Sequence, residues 1–392
     1  MPPLPAEPKG RSPGGPAGPR RWLFLVAHDR EDPRVTGGDL LATDLAEALA
    51  ARGDEVELWS SRHSGRPLNE RVNGVRVHRL PPQGLLAPSI WAHFLAGRAR
   101  GFHAVVEQVV GSQRLPFLAR MFSPIPTLGV WYQDNVPLFE AAYRGRTLRQ
   151  SARFLQRMLL LVYSRGPLLT CSTTSARWLE GRGIAPDRIG LFYPRVNRAG
   201  PNGALPPFSQ RENLFVVIGN FRATKRFEEA LEVLREVRRG GVDARCALVG
   251  RANDPVYLDR LRALAQAPDL RGSVDILVDL SEAAKFELLL RAKALTVHSP
   301  IEGFGWTVIE AGRQGVPAVV NPGVPEDARG SEGGAVVVPF GDVRAYARAV
   351  SLWMTSPELW SQASRAARRH SERFSGSVLT SDLRDFLART FP

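Results

Sequence analysis

The chain has 392 residues, more than the about 250–300 that one hydrophobic core usually organises, so at least two domains are expected. A hydrophobic content of 44% and a mean hydropathy of −0.16 are typical of a globular protein, and no apolar run approaches the roughly 20 residues that span a bilayer. The formal net charge of +13 comes mainly from scattered arginines with no nucleic-acid-binding motif among them, so no nucleic-acid partner is expected.

The amino terminus and the two cysteines indicate the cellular compartment of the protein. Residues 1–20 hold seven prolines and four glycines without an apolar segment, which predicts a disordered leader and not a secretory signal. Cys171 and Cys246 lie in different predicted strands and lack metal-ligand spacing. Such isolated thiols fit a reducing compartment, so we expect a cytoplasmic protein. Peripheral contact with the inner membrane face is left open.

Apolar strands alternate with helical stretches from residue 21 to residue 194. This alternation predicts an α/β domain with a mostly parallel sheet and helices on both faces. The predicted strands are Trp22–Ala27, Glu55–Trp59, Val75–Leu80, Ala104–Val109, Thr127–Tyr132, Leu168–Thr173 and Ile189–Tyr193. The clearest predicted helices are Asp39–Arg52, Ser89–Arg100 and Arg149–Tyr163.

A second α/β series follows a segment rich in proline and glycine, residues 195–212, which is predicted to be a linker. Its predicted strands are Leu214–Ile218, Arg245–Val249, Val274–Val278, Ala294–His298, Pro317–Val320 and Ala335–Val338. No Gly-x-Gly-x-x-Gly follows the first strand of either half, so the nicotinamide-binding fingerprint is absent.

Two glutamates, Glu302 and Glu310, lie eight positions apart around a Gly-Phe-Gly turn. Glu302 follows a predicted strand, at the sheet edge where open α/β proteins bind ligands. Glu310 lies in a predicted helix, Trp306–Gln314, whose free amino-terminal amides attract phosphate. Carboxylates on either side of a phosphate-binding helix terminus would accept hydrogen bonds from the sugar and ribose hydroxyls of a nucleotide-sugar. The alternative is a strand–helix turn with two surface carboxylates.

Two further loops follow the first strands of the two halves. Gly37 and Gly38 precede a helix and can present its amides to a phosphate, although paired glycines also fit a plain turn. Arg222 and Lys225 follow Ile218, and two cations over a diphosphate would stabilise a leaving group. Solvated basic residues at a helix start are the alternative.

The segments 32–56 and 298–320 resemble retaining glycosyltransferases of the GT-B fold, glycosyltransferase family 4 (group 1). The resemblance covers nearly the whole chain from about Arg21. It implies two Rossmann-like domains facing a cleft: an acceptor domain at 21–194 and a donor-binding domain at 213–372. It also implies a carboxy-terminal helix, residues 373–392, that returns to the first domain.

The resemblance implies roles for the residues of the Gly-Phe-Gly turn. Glu302 would hold the hydroxyls of the donor sugar together with the amides of Gly303, Phe304 and Gly305. Glu310 would bind the ribose hydroxyls. The two carboxylates would therefore hold the donor, and they would not act as an acid/base pair.

The resemblance also implies where the donor diphosphate is held. The family places an arginine and a lysine after the first strand of the second domain. Lys225 matches the lysine, whereas Asn220 stands at the arginine position and Arg222 is the substitute. Amides of Gly37 and Gly38 would assist after domain closure.

The loop after Thr127–Tyr132 departs from the family, because many members have a histidine there. This chain has Tyr132, Gln133, Asp134 and Asn135. Asp134 or Gln133 would position the acceptor, with a structural cap as the equal alternative. Glu107, at the end of the preceding strand, is a weaker candidate for the cleft edge.

The implied reaction needs no cofactor and no metal. Asp-x-Asp, the metal-binding motif of the other main glycosyltransferase fold, does not occur, and the histidines form no ligand pattern. The expected partners are a nucleotide-sugar donor and a small-molecule, saccharide or lipid-linked acceptor. The alternatives are a nucleotide-sugar epimerase or glycoside phosphorylase of the same fold, and a non-catalytic sugar- or partner-binding protein.

Two basic, partly apolar stretches, Ser89–Arg100 and Tyr143–Arg165, are open to two interpretations. Basic amphipathic helices can lie on anionic lipid. Most such helices pack one face on a core, and that interpretation is favoured here.

Overall fold

The computed structural model describes residues 19–110, 115–137, 145–196 and 205–392. Residues 1–18 of the predicted leader and residues 197–204 of the predicted linker lie outside the described residues. In the described part of the chain, no helix has both the length and the apolarity to cross a membrane.

The first sheet has eight strands in the order β3-β4-β2-β1-β5-β6-β7-β8. All neighbours pair in parallel except β3 and β4, which are antiparallel. The strands are β1 (Arg21–Leu25), β2 (Glu55–Ser61), β3 (Asn69–Val72), β4 (Val75–Leu80), β5 (Ala104–Val110), β6 (Thr127–Trp131), β7 (Leu168–Thr170) and β8 (Ile189–Leu191). The sequence did not predict β3, because this polar edge strand lacks a buried face.

The helices beside the first sheet whose bounds lie within the described residues are α1 (Gly37–Ala51), α2 (Gln83–Leu95), α3 (Ala119–Phe122), α4 (Arg146–Tyr163) and α5 (Thr173–Glu180). The predicted bounds of α2 were wrong, since the helix begins six residues before Ser89. The helix continues through Pro88. The turn before this proline is helical because its side chains Leu86 and Ala87 pack into the core. Gly97, at φ 72°, follows the end of the helix.

The second sheet is entirely parallel, with six strands in the order β11-β10-β9-β12-β13-β14. The strands are β9 (Leu214–Ile218), β10 (Arg245–Gly250), β11 (Val274–Val278), β12 (Ala294–Thr296), β13 (Ala318–Val320) and β14 (Ala335–Val337). The helices are α6 (Phe227–Arg239), α7 (Pro255–Ala265), α8 (Glu282–Arg291), α9 (Trp306–Arg313), α10 (Glu326–Arg329), α11 (Val343–Thr355), α12 (Pro357–Glu372) and α13 (Ser381–Thr390).

Both sheets reverse their strand order next to their first strand. β1 lies between β2 and β5, and β9 lies between β10 and β12. At such a switch point the loops after neighbouring strands diverge and leave a crevice at the carboxyl edge. The loops after β1, β9 and β12, which carry the predicted site residues, therefore border the crevices.

The carboxy terminus returns to the first domain, as predicted. After α12, the Val196 N–H donates to the Phe374 carbonyl at 3.0 Å. The ring of Phe386 in α13 lies against Gly190 in β8, and Phe391 packs edge-on against Trp22 at 5.5 Å between ring centroids. These contacts bury aromatic side chains of the tail in the core of the first domain.

Asp327 in α10 joins the two domains behind the cleft. One oxygen of its carboxylate accepts hydrogen bonds from the backbone N–H (2.9 Å) and the hydroxyl (2.8 Å) of Thr173, at the start of α5. The other accepts from the Tyr193 hydroxyl at 3.0 Å. His370 donates to the Asp327 carbonyl at 2.7 Å, which ties this contact to α12.

The close packing of α9 against α12 predicts that Gly312 is needed for stability. A Cβ at this position of α9 would lie 2.8 Å from the Ala367 carbonyl oxygen of α12, so Gly312→Ala must push the two helices apart. We expect the free energy of unfolding to fall by about 1–3 kcal/mol, measured by denaturant titration. Gly84→Ala is the matched control, because Gly84 lies in α2 with nothing within 4 Å of a Cβ. Equal stability of the two variants would contradict the prediction.

Candidate functional site

The loop after β1 brings its glycines against residues from two other elements. Thr36 and Asp39 form a capping box at the start of α1, which accounts for the buried Asp39 carboxylate. A Cβ on Gly37 would lie 3.4 Å from the Trp306 indole nitrogen. A Cβ on Gly38 would lie 2.9 Å from the Tyr132 ring, whose hydroxyl donates to the Gly38 carbonyl at 2.7 Å. The two glycines therefore permit close approaches from both domains.

The loops after β9 and β12 are joined by an ion pair between predicted site residues. Lys225 Nζ lies 2.5 Å from Glu302 Oε1, with both side chains partly exposed. The Ser299 hydroxyl donates to the same Glu302 oxygen. A lysine and a glutamate 77 positions apart in sequence thus meet at the carboxyl edge of one sheet.

Glu310 pairs with a second lysine. Its side chain is 9% exposed within α9, and Lys285 Nζ of α8 lies 3.0 Å from its Oε2. Lys285 also contacts Glu282 at 3.2 Å. Each of the two predicted glutamates is therefore held by a lysine from a different element of the second domain.

A cavity of about 530 Å³ opens between the domains at these residues. The first domain contributes Pro33 and Gly37. Of the other residues predicted from sequence, Asn220, Lys225 and Glu302 line it. The rest of the lining is Ile218, Gly219, Val249, Gly250, Arg251, Asp279, Leu280, Glu282, Lys285, Trp306 and Thr307.

A larger cavity of about 720 Å³ lies behind the cleft, beside Asp327. Its lining includes Tyr193, His370 and Phe374, and it contains none of the predicted site residues. Of these two cavities, the one between the domains is the better candidate site, because Gly37, Lys225 and Glu302 all line it.

The Gly-Phe-Gly turn lies beside the cavity and not on its lining. The Gly303 carbonyl accepts from the Cys171 thiol at 3.4 Å. The Phe304 ring is buried against Phe374. Gly305 caps α9 at φ 98°, a left-handed conformation that favours glycine. These contacts explain the turn structurally, and the predicted role of its amides in sugar binding stays a prediction.

Arg222 does not line the cavity. It is exposed and caps the short 3-10 turn Ala223–Lys225. Its assignment to a diphosphate therefore stays an untested prediction.

Asp134 makes the contacts of a structural cap. Its Oδ1 accepts from the Val136 N–H at 3.0 Å and from Gln156 Nε2 of α4 at 2.8 Å. The side chain does not line the cavity. Of the two interpretations that the sequence left open, these contacts favour the cap, and Tyr132 is the residue of this segment that reaches the glycine loop.

Glu107 is not at the cleft edge, contrary to the sequence-based interpretation. Its side chain is fully buried, and burial raises the pKa of the carboxyl to about 7. It accepts hydrogen bonds from the Tyr163 hydroxyl at 2.5 Å and from the N–H groups of Ala119 and Arg120. Glu107 therefore joins α3 and α4 to β5 and has a structural role.

The cavity-wall residues that sequence reasoning did not assign include Arg251, Lys285 and Trp306. Arg251 Nη1 donates across the cleft to the carbonyls of Pro33 at 2.7 Å and Val35 at 3.1 Å. Its signal in the sequence was a cation directly after a predicted strand. Lys285 gave no such signal, because it lies in a helix.

No group of three or more histidine, cysteine, aspartate or glutamate side chains that could hold a metal ion occurs within the described ranges. The expected independence from metal stays a prediction.

Residues 206–370 match the family model described as glycosyl transferases group 1. The matched segment lies in the second domain. It contains Asn220, Lys225, Glu302 and Glu310, together with Arg251 and Lys285. No curated protein matches the chain by sequence.

Solved structures match the chain over both domains. Sucrose-phosphate synthase from Thermosynechococcus elongatus has 19% identity and a TM-score of 0.70, covering 91% of this chain and 95% of its own. HepE from Anabaena in complex with UDP-glucose has 15% identity and a TM-score of 0.71, covering 94% and 98%. Starch synthase IV from Arabidopsis thaliana, bound to ADP and acarbose, has 13% identity and a TM-score of 0.63, covering 96% and 100%. The predicted GT-B fold is confirmed.

The cavity lining predicts that Arg251 and Arg222 contribute differently to ligand binding. Arg251→Ala should weaken binding of UDP, GDP or ADP by about tenfold, or about 1.4 kcal/mol, because it removes a cation from the wall. Arg222→Ala is the matched control and should stay within about twofold of wild type, since Arg222 does not line the cavity. Calorimetric titration measures both. A larger effect at Arg222 would restore the sequence-based assignment.

Proposed function

We propose that the protein is a retaining glycosyltransferase that moves a sugar from a nucleotide-diphospho-sugar to an acceptor hydroxyl. The observation that carries the proposal is the cavity at the switch points of two parallel sheets, with the Gly37 loop on one side and Lys225 and Glu302 on the other. Residues 213–372 would bind the donor, and residues 21–194 would bind the acceptor.

Lys225 and Glu302 would change partners when the donor binds. In the structure the two side chains neutralise each other at 2.5 Å. A diphosphate would attract the Lys225 ammonium, since it carries more negative charge than one carboxylate. Glu302 would then be free to accept hydrogen bonds from the sugar hydroxyls. Arg251, on the same wall, would supply a second cation.

Glu310 would accept hydrogen bonds from the two ribose hydroxyls. Its carboxylate is nearly buried and held by Lys285, and Lys285 itself lines the cavity. A fixed carboxylate binds a diol better than a mobile one, because less side-chain entropy is lost on binding.

The proposed chemistry is a front-face displacement. The bond between the sugar C1 and the phosphate oxygen breaks, and a bond from C1 to the acceptor oxygen forms on the same face. The acceptor proton passes to the departing phosphate oxygen, so the products are the glycoside and a nucleoside diphosphate. Lys225 and Arg251 would stabilise the developing diphosphate charge, and closure of the cleft would exclude water.

The structural neighbours support this class of donor. The Anabaena HepE structure is a complex with UDP-glucose, and the Arabidopsis starch synthase is bound to ADP and acarbose. Both proteins share the two-domain fold at low sequence identity. We therefore include UDP-, GDP-, ADP- and TDP-sugars among the donors to be tested.

Donor binding tests the site. We expect at least one of these four classes of donor to raise the melting temperature of the wild-type protein, because a ligand that binds the folded state stabilises it. Lys225→Ala and Glu310→Ala should each weaken that binding by about tenfold or more. Glu287→Ala is the matched control, since Glu287 is exposed on α8 and does not line the cavity.

Transfer is then measured as release of nucleoside diphosphate that requires an acceptor. An epimerase would release none, and a phosphorylase would use a sugar phosphate. If Lys225→Ala and Glu310→Ala both transfer sugar like wild type, the assignment of the site is wrong. Donor binding without turnover across a broad acceptor panel would indicate a non-catalytic binding protein.

Metal removal gives a separate prediction. We expect sugar transfer to continue in excess EDTA at the wild-type rate, because Lys225 and Arg251 would offset the diphosphate charge. The measurement compares initial rates with and without EDTA, followed by added Mg²⁺ or Mn²⁺. Loss of activity that either ion restores would contradict this prediction while leaving the donor site in place.

A further inference from the structure

The helix α4 presents an apolar stripe to the outside of the first domain. Its five exposed large side chains are Leu148, Phe154, Leu155, Met158 and Leu161, among sixteen such side chains that are exposed in the described part of the chain. At 3.6 residues per turn, the five lie within an arc of about 140°. Phe154 and Leu161 are each 66% exposed. We call these five residues the α4 stripe.

The opposite face of α4 already provides the packing that the fold needs. Leu159 and Tyr163 are buried in a cluster with Trp131 and Leu168. Gln156 is buried and bonds to the segment after β6. The α4 stripe is therefore not the face that attaches the helix to its domain.

Another amphipathic helix of the same protein shows the usual arrangement. In α6, the large apolar side chains, among them Phe227, Leu231 and Leu234, are all buried against the second sheet. Its charged residues face outward except Glu229, which is buried beside His298. In α4, apolar residues occupy the outward face as well, which is unusual for a surface helix of a globular domain.

The charged side chains that α4 itself carries have one sign. Residues 145–166 contain five arginines and no aspartate or glutamate. Arg146 and Arg157 border the stripe on one side at helical spacing, and both are exposed. Arg165 follows the last turn. An occupant of this surface must therefore combine apolar groups with negative charge.

We propose that the α4 stripe docks onto the surface of an anionic lipid bilayer. Phe154 and Leu161 would enter the boundary between headgroups and acyl chains, while Arg146 and Arg157 would extend to the lipid phosphates. A second copy of this chain fits less well, because self-association through the stripe would bring like-charged arginine borders together. This inference concerns attachment and does not depend on the proposed reaction.

Vesicle co-sedimentation of the full-length protein tests the docking surface. Wild type should pellet with vesicles of phosphatidylcholine mixed with phosphatidylglycerol, and much less with phosphatidylcholine alone. Phe154→Ser combined with Leu161→Ser should reduce the bound fraction by about tenfold, because the groups that enter the bilayer are removed. Leu352→Ser combined with Leu359→Ser is the matched control on exposed positions of α11 and α12, and should bind like wild type.

A second pair of variants tests the charge. Arg146→Gln combined with Arg157→Gln should also reduce binding by about tenfold, since each arginine near an anionic surface contributes to attraction. Arg344→Gln combined with Arg348→Gln, at exposed positions of α11, is the control with the same charge loss. Unchanged melting temperatures confirm that all four proteins are folded.

Three results would overturn the proposal. The first is a wild-type protein that does not pellet with anionic vesicles, which would leave an acidic protein as the better occupant. The second is an equal loss of binding in the stripe variants and their controls, which would indicate attraction through net charge alone. The third is a dimer in light scattering that Phe154→Ser with Leu161→Ser abolishes, which would assign the stripe to self-association.

Discussion

The cleft depends on the hydrogen bonds that the Asp327 carboxylate makes to the first domain. Its oxygens accept from the backbone amide at the start of α5, where the helix dipole favours negative charge, and from the hydroxyls of Thr173 and Tyr193. His370 holds the same residue from α12. The two sheets are therefore tied together at the back of the cleft. At the front, Arg251 reaches two carbonyls, and Trp306 lies against Gly37.

Two lysines of the cavity wall are each paired with a carboxylate. Lys225 with Glu302, and Lys285 with Glu310, place two cations and two anions within one domain at ion-pair distance. Isolated charges of one sign would be costly in a partly buried wall, because each would lose hydration without compensation. Under the proposed function, a bound diphosphate would pair with the lysine, and the donor sugar would take the carboxylate as its hydrogen-bond acceptor. The pairing therefore lowers the cost of placing charged side chains in the cleft.

Sequence reasoning located residues correctly where their position follows from the end of a strand. Glu302 and Lys225 were each assigned to the loop after a strand, and the two side chains meet because those strands are neighbours in the sheet. It did not assign Arg251, although this residue also follows a strand, because no motif marked it. It left the role of Asp134 open between acceptor positioning and a cap, and it placed Glu107 at the cleft edge, where the structure does not put it. Glu107 contacts α3 and α4, and Asp134 contacts Gln156 of α4, and the sequence does not show that proximity.

The amino-acid sequence by itself determined the two α/β halves, the order of most strands and helices, and the edge of each sheet where the site lies. These features follow from local periodicity and from the parallel pairing that short apolar strands joined by helices require. Only the tertiary structure decided that Lys285 holds Glu310, that Arg251 crosses the cleft, and that the α4 stripe faces outward. Each of these depends on the orientation of one packed element against another, and local sequence does not specify that orientation.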